Sequence, residues 1–142
     1  MTHNFSFKSA IAVAALLALP LAQATNLSKD EYKAGKTRIS AEYKAAKAAC
    51  ALMTDNAKDI CKEEAKAREK VALAENEYSY TGKPADERKV HTVMADTTYA
   101  VAKERCDDMK GNPKDVCVKE AKAVHIKALA DVKMDKKVAN AG

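Results

Sequence analysis

Two stretches framed by cysteines constrain the fold of this chain more than anything else in it. CALMTDNAKDIC spans residues 50 to 61, and CDDMKGNPKDVC spans residues 106 to 117. They stand 56 residues apart, and the match continues on both sides. Asp30, Glu31 and Lys33 fall on Asp86, Glu87 and Lys89. Tyr43, Ala46, Lys47, Cys50 and Met53 fall on Tyr99, Ala102, Lys103, Cys106 and Met109. Asn56, Lys58, Asp59 and Cys61 fall on Asn112, Lys114, Asp115 and Cys117. Of 51 aligned positions 19 are identical. A background rich in Ala and Lys inflates that count, but it does not generate matched Cys, Asn, Asp, Met and Tyr. The chain is an internal duplication.

Each copy reads as helix, tight turn, helix. Ala, Lys and Glu dominate, all strong helix formers, and no stretch has a strand pattern. The fold class is all-α. In the second turn Gly111 suits the left-handed position that ends a helix. Asn112 is a good N-cap, and Pro113 fits the first helical position, where its missing N–H costs nothing. Asp115 favours the positive helix end. The first copy keeps Asn56 as cap and Asp59 as the acidic residue, but lacks the Gly and Pro. Expected helices are 28–54, 57–78, 85–110 and 113–137. Residues 78–84 are the linker, and Gly35, Gly82, Pro84, Gly111 and Pro113 are the helix stops.

The first helix carries a seam with steps of three and four: Ile39, Tyr43, Ala46, Cys50, Met53. The third repeats it with Ala95, Tyr99, Ala102, Cys106 and Met109. This spacing is that of helices packed side by side. Two tandem antiparallel helical hairpins then form a four-helix bundle, an elongated pair with little between them, or a dimer that completes the core.

Cys50 and Cys61 are equidistant from one turn, and Cys106 and Cys117 from the other. Residues equidistant from the turn of an antiparallel hairpin lie level with each other. Of the three pairings open to four cysteines, this symmetry favours Cys50–Cys61 and Cys106–Cys117, given a Cα separation of about 5.5 Å. Other uses of cysteine fit poorly. A structural zinc site wants ligand pairs two to four residues apart. A thioredoxin-type centre wants C-x-x-C, and haem attachment wants C-x-x-C-H. The spacing here is none of these.

The N-terminus explains why disulfides would form. Met1 to Ser9 is polar and carries Lys8, an apolar run follows, and Ala22-Gln23-Ala24 closes it. That is the layout of a secretory signal, with cleavage expected after Ala24. The apolar run falls short of the roughly 20 residues that span a bilayer. The remainder divides into a first hairpin, 25–83, and a second, 84–142. The expected location is periplasmic, with secretion as the alternative, and no membrane span remains after cleavage.

Beyond residue 24 the chain has no Phe or Trp, and alanine supplies most of its apolar count. Burial stabilises by only about 25 cal/mol per Å², so the core is thin. Small cores in oxidising compartments are often stapled. The chain has 25 Lys and Arg against 20 Asp and Glu. Only Lys8 precedes residue 25, which leaves 24 and a charge of +4. The signs are interleaved, as on a solvated helix surface with i,i+4 pairs. A nucleic-acid footprint would be a basic stripe with stacking aromatics, and there is none.

No catalytic constellation emerges. His91 and His125 stand at unmatched repeat positions and read as solvated helix histidines; Glu87, four residues before His91, is the one acidic neighbour at metal spacing. Met53, Met94, Met109 and Met134 are soft-metal ligands by type, but at helical spacing they read as gap-fillers. No carboxylate pair, nucleophile elbow or phosphate loop is present. Tyr43 and Tyr99 are expected in the seam, Tyr78 and Tyr80 at the bundle end.

The run C-x₅-N-x-K-D-[IV]-C-x₂-E-A-K-A, at 50–67 and 106–123, resembles a group of small proteobacterial exported proteins. They carry this element once or twice in Ala- and Lys-rich helical chains. The resemblance covers most of the chain after residue 24. It implies an envelope location and brings no activity, cofactor or site residue with it. The expected function is non-enzymatic: a periplasmic protein of structural, binding or envelope-stress type, with an envelope protein or a second copy as the partner it could take. Two alternatives belong to other classes, a metal-binding or thiol-redox protein and a periplasmic chaperone.

Overall fold

The computed structural model describes residues 26–139; the leader expected over 1–24 lies outside them. Four helices follow one another: α1 (Lys29–Cys50), α2 (Asp55–Thr81), α3 (Pro84–Cys106) and α4 (Asn112–Ala139). There is no strand among the described residues.

α1 opens with a capping box. Ser28 Oγ accepts from the Glu31 amide at 3.3 Å, and the Ser28 amide donates to Glu31 Oε2 at 2.8 Å. Two of the four orphan amides of the helix start are thereby satisfied. α1 then runs straight through Gly35, which is not a stop. A Cβ there would collide with the side chain of Asn76 on α2. The Asn76 amide donates to the Tyr32 carbonyl at 3.0 Å. Gly35 is glycine so that α2 can approach.

The two turns repeat in backbone as well as in sequence. Gly111 has φ +62°, and its match Asp55 has φ +52°. Both lie in the left-handed region, where glycine is at ease and Asp is among the few tolerated side chains. α1 ends at Cys50 rather than at 54, and Met53 lies beyond the helix. α2 starts at Asp55, and the residue before it, Thr54, makes no side-chain cap. Asn56 is therefore not the cap expected of it. Its side chain crosses instead to the Glu104 carbonyl of α3 at 2.9 Å. Asp59 pairs with Lys62 at 3.0 Å. In the second turn the amides of Lys114 and Asp115 bond the Gly111 carbonyl at 3.0 and 3.3 Å. The residue before the helix is thus Gly111, not Asn112. Pro113 and Asp115 lie in its first turn.

The linker is shorter than expected. α2 continues through Tyr78 and Tyr80 to Thr81, and Gly82 closes it at φ +62° with its amide on the Tyr78 carbonyl at 2.8 Å. Pro84 begins α3. A left-handed glycine followed by a proline at the first helical position is the normal grammar of stop and restart. Tyr80 stacks on Tyr32, ring centroids 4.6 Å apart.

The helices pack in chain order, α1 on α2, α2 on α3 and α3 on α4. Among the described residues α1 does not return to α4, so this helical bundle is open. The buried positions show how. Ala65 and Ala74 are the buried residues of α2, and they lie about half a turn out of phase. Ala65 faces α1 beside Ile39 and Tyr43, and Ala74 faces α3 beside Val93 and Thr97. α3 is likewise two-sided. Ala95 and Cys106 continue the seam shared with α4, whereas Val90 and Thr97 point the other way. The inner helices each bury two opposite stripes, which places them in a row. The two hairpins are thus joined along the length of α2 and α3.

Candidate functional site

The cysteines are structural. Cys50 is bridged to Cys61 and Cys106 to Cys117, with Cα separations of 5.5 and 5.7 Å. Both separations lie near the usual disulfide value. No cysteine is left free. Cys50 and Cys106 are each 1% exposed. The bridges close the two hairpins at the same end of the row.

The open arrangement leaves a trough on one face of α3, walled by α2 and α4. It holds about 850 Å³. Ala67 and Val71 line it from α2, Met94, Thr98 and Val101 from α3, and Val124 from α4. A second hollow of about 530 Å³ between α3 and α4 shares Met94, Thr98, Ala102, Ala121 and Val124 with it. The two form one continuous apolar surface. Met94 is 47% exposed and Val124 63%, so nothing among the described residues covers them. The rim is charged with both signs. Arg105 Nη2 meets Glu64 Oε1 at 2.6 Å, and Arg68 reaches the same carboxylate at 3.7 Å.

The opposite face carries a smaller hollow of about 530 Å³ over α2, with Lys36, Lys70 and Lys89 beside Tyr32 and Leu73. Glu77 and Asp96 also line it, so the lysines do not form a single-sign patch.

His125 is not the solvated histidine expected. Its Nε2 lies 2.6 Å from Asp96 Oδ1, and its ring stacks on Tyr99 with centroids 4.8 Å apart. The arrangement ties α4 to α3 at the edge of the second hollow. His91 lines the same hollow from α3. Among the described residues no group of three or more His, Cys, Asp or Glu could hold a metal ion. No described helix is long and apolar enough to cross a membrane.

The residues expected to matter from their matched positions are those of the turns and bridges, and of these Cys106 and Cys117 line the trough. The larger side chains that make the trough apolar are where the copies differ. Met94 stands at the position of Arg38, and Val124 at that of Arg68. A comparison of the copies for basic residues turned apolar would have found them. No family model, curated protein or solved structure matches the chain.

Proposed function

We propose that this is an exported, non-enzymatic envelope protein, periplasmic or secreted, that binds apolar segments of other polypeptides along its helical trough. The uncovered apolar surface around Met94 and Val124 carries this reading. A contiguous apolar surface with a polar rim marks an interaction site. A groove between helices suits the apolar face of a helix or an unfolded segment. A mixed-charge rim favours no single sign of partner. Export is supported by the leader-like residues 1–24, by the resemblance of the repeated element to exported proteins, and by the two bridges, which persist in oxidising compartments. Among the alternatives, a chaperone is compatible with the open trough. A thiol-redox protein would cycle these same bridges, but Cys50 and Cys106 are buried away from any exchange partner.

The test is suppression of aggregation. Light scattering of a thermally unfolding client is followed with and without the oxidised protein. The expected result is reduced scattering near equimolar ratio, lost in a Met94→Glu, Val124→Glu double variant that keeps its helical circular dichroism. Unchanged scattering with the wild-type chain would overturn the proposal.

A further inference from the structure

The row of helices is open at both ends. α1 has a neighbour only in α2, and α4 only in α3, among the described residues. In an array whose units touch only their neighbours, the end faces must be polar to stay apart. Here each end face carries a line of small or apolar residues with exposed lysines beside it, Lys33 and Lys44 on α1 and Lys119 and Lys133 on α4. The outer side of α1 is a line of exposed small residues, Ala34, Thr37, Ala41, Ala45 and Ala48. The outer side of α4 exposes Val116, Ile126 and Met134 at 45%, 56% and 55%, with Ala123 and Ala130 between them.

The duplication identifies what these faces match. Val90, Val93, Thr97 and Glu104 of α3 turn towards α2: Val90 and Thr97 are buried, Val93 lines a hollow with Ala74, and the Glu104 carbonyl accepts from Asn56. Their matches are Ala34, Thr37, Ala41 and Ala48 on the outside of α1. On α2, Ala67 and Ala74 turn towards α3, and their matches are Ala123 and Ala130 on the outside of α4. The two end faces are therefore the two halves of the α2–α3 interface, written a second time and left unpaired.

We propose that α4 of one copy packs on α1 of a second copy as α2 packs on α3, so that copies of this chain add head to tail. Three observations agree with the pairing. The first is direction, since α4 against α1 of the next copy continues the alternating antiparallel order of the row. The second is bulk. Val90 and Val93 of α3 become Ala34 and Thr37 on α1, while Lys70 of α2 becomes Ile126 on α4, so the copied face of α4 offers a branched apolar side chain where α2 has a lysine. The third is polar. Asn56 bonds the Glu104 carbonyl, which also takes the Asp107 amide at 3.1 Å. The matched carbonyl is that of Ala48, which takes the Ala51 amide at 3.2 Å. Asn112, the match of Asn56, is exposed, and its side chain makes no hydrogen bond among the described residues. In the head-to-tail contact it reaches the Ala48 carbonyl. One contact does not carry over: the Arg105–Glu64 pair becomes Ala49 and Glu120. The contact between copies is thus weaker than the one within the chain. A heterologous contact of this kind does not close on itself in a dimer; it grows an open assembly or a ring. This proposal stands independently of the trough, which uses a different face.

The test is sedimentation velocity of the chain with both bridges formed, over a wide concentration range. The expected result is mass that rises through successive species beyond the dimer. Ala41→Glu on α1 and Ala130→Glu on α4 each abolish growth, and both positions are exposed, so the monomer keeps its helicity. Mixing the two variants is decisive. Each retains the face the other lacks, so the mixture gives a dimer and nothing longer. Asn112→Ala weakens association about fivefold, the value of one ordinary hydrogen bond. A chain that stays monomeric throughout would overturn the proposal. So would a dimer unaffected by Ala41→Glu, which would place the contact on a two-fold interface elsewhere.

Discussion

The side-chain amide of Asn56 donates to the backbone carbonyl of Glu104, 2.9 Å away, and so fastens the first turn to the end of the third helix. The bond spans the two copies of the duplication and lies in a half-buried place. Asn56→Ala should cost about 1 kcal/mol, the usual net value of such a bond, and lower the thermal midpoint by a few degrees. Asn112→Ala should leave the isolated monomer within about 0.5 kcal/mol of wild type, as surface changes usually do. Urea unfolding of both at low protein concentration checks this. Equal losses from the two asparagines would show that each acts as a cap for its own helix.

The bridges should dominate stability. Each closes a short loop, its cysteines 11 residues apart in sequence. A loop of this size gives about 3 kcal/mol in the chain-entropy model. Small domains have only about 5–15 kcal/mol in all. Reduction of both bridges should therefore move the urea midpoint far down or unfold the chain outright, and replacing either pair by serines should have about half the effect. A midpoint unchanged by reductant would show that helix packing alone holds the hairpins.

The turns and bridges were legible because their chemistry is local. Gly111, Pro113, Asp115 and the spacing of the cysteines announce a stapled hairpin without reference to the rest of the fold. The row was not legible, because its second seam is made of alanine. Ala65 and Ala74 bury opposite sides of α2, but alanine at so many positions leaves no period to read. Gly35 reads as a stop by propensity, whereas its reason is Asn76 on another helix. Asn56 reads as a cap for the same reason, its true acceptor being remote. Tyr80 reads as linker because Gly82 and Pro84 follow closely, yet it lies within α2 and stacks on Tyr32. The trough arises only when three helices stand side by side, so no local pattern contains it.

Gly35 gives a prediction opposite in sign to propensity. In an exposed helix interior, Gly→Ala stabilises by about 0.5–1 kcal/mol. Here the added Cβ meets the Asn76 side chain and breaks its bond to the Tyr32 carbonyl. Gly35→Ala should therefore destabilise. In an Asn76→Ala background the obstruction is gone, and the same change should stabilise. A double-mutant cycle by urea unfolding reads the coupling. Additive effects in the cycle would remove the contact from the explanation.

Two groups should show pH effects of opposite sense. The Tyr32 hydroxyl donates to the Glu77 carboxylate, and that bond holds the Tyr32 pKa above its ordinary value of 10.0. A raised pKa in the folded state means that its stabilisation is fully present below the ordinary tyrosine pKa. It is lost as pH rises through the raised one. Glu31 is the reverse. Its bonds from Ser28, the side-chain hydroxyl first and the backbone amide second, hold it below its ordinary 4.5. Its contribution is present above 4.5 and lost as pH falls through the lowered value. Tyrosinate absorbance should show a late step from Tyr32, and Glu77→Gln should bring that step down in pH. Ser28→Ala should raise the Glu31 pKa and flatten the acid limb of the stability curve. The two variants act at opposite ends of the pH range because one bond needs a neutral phenol and the other an ionised carboxylate. A change at both ends from either variant would point to a general loosening of α1 instead.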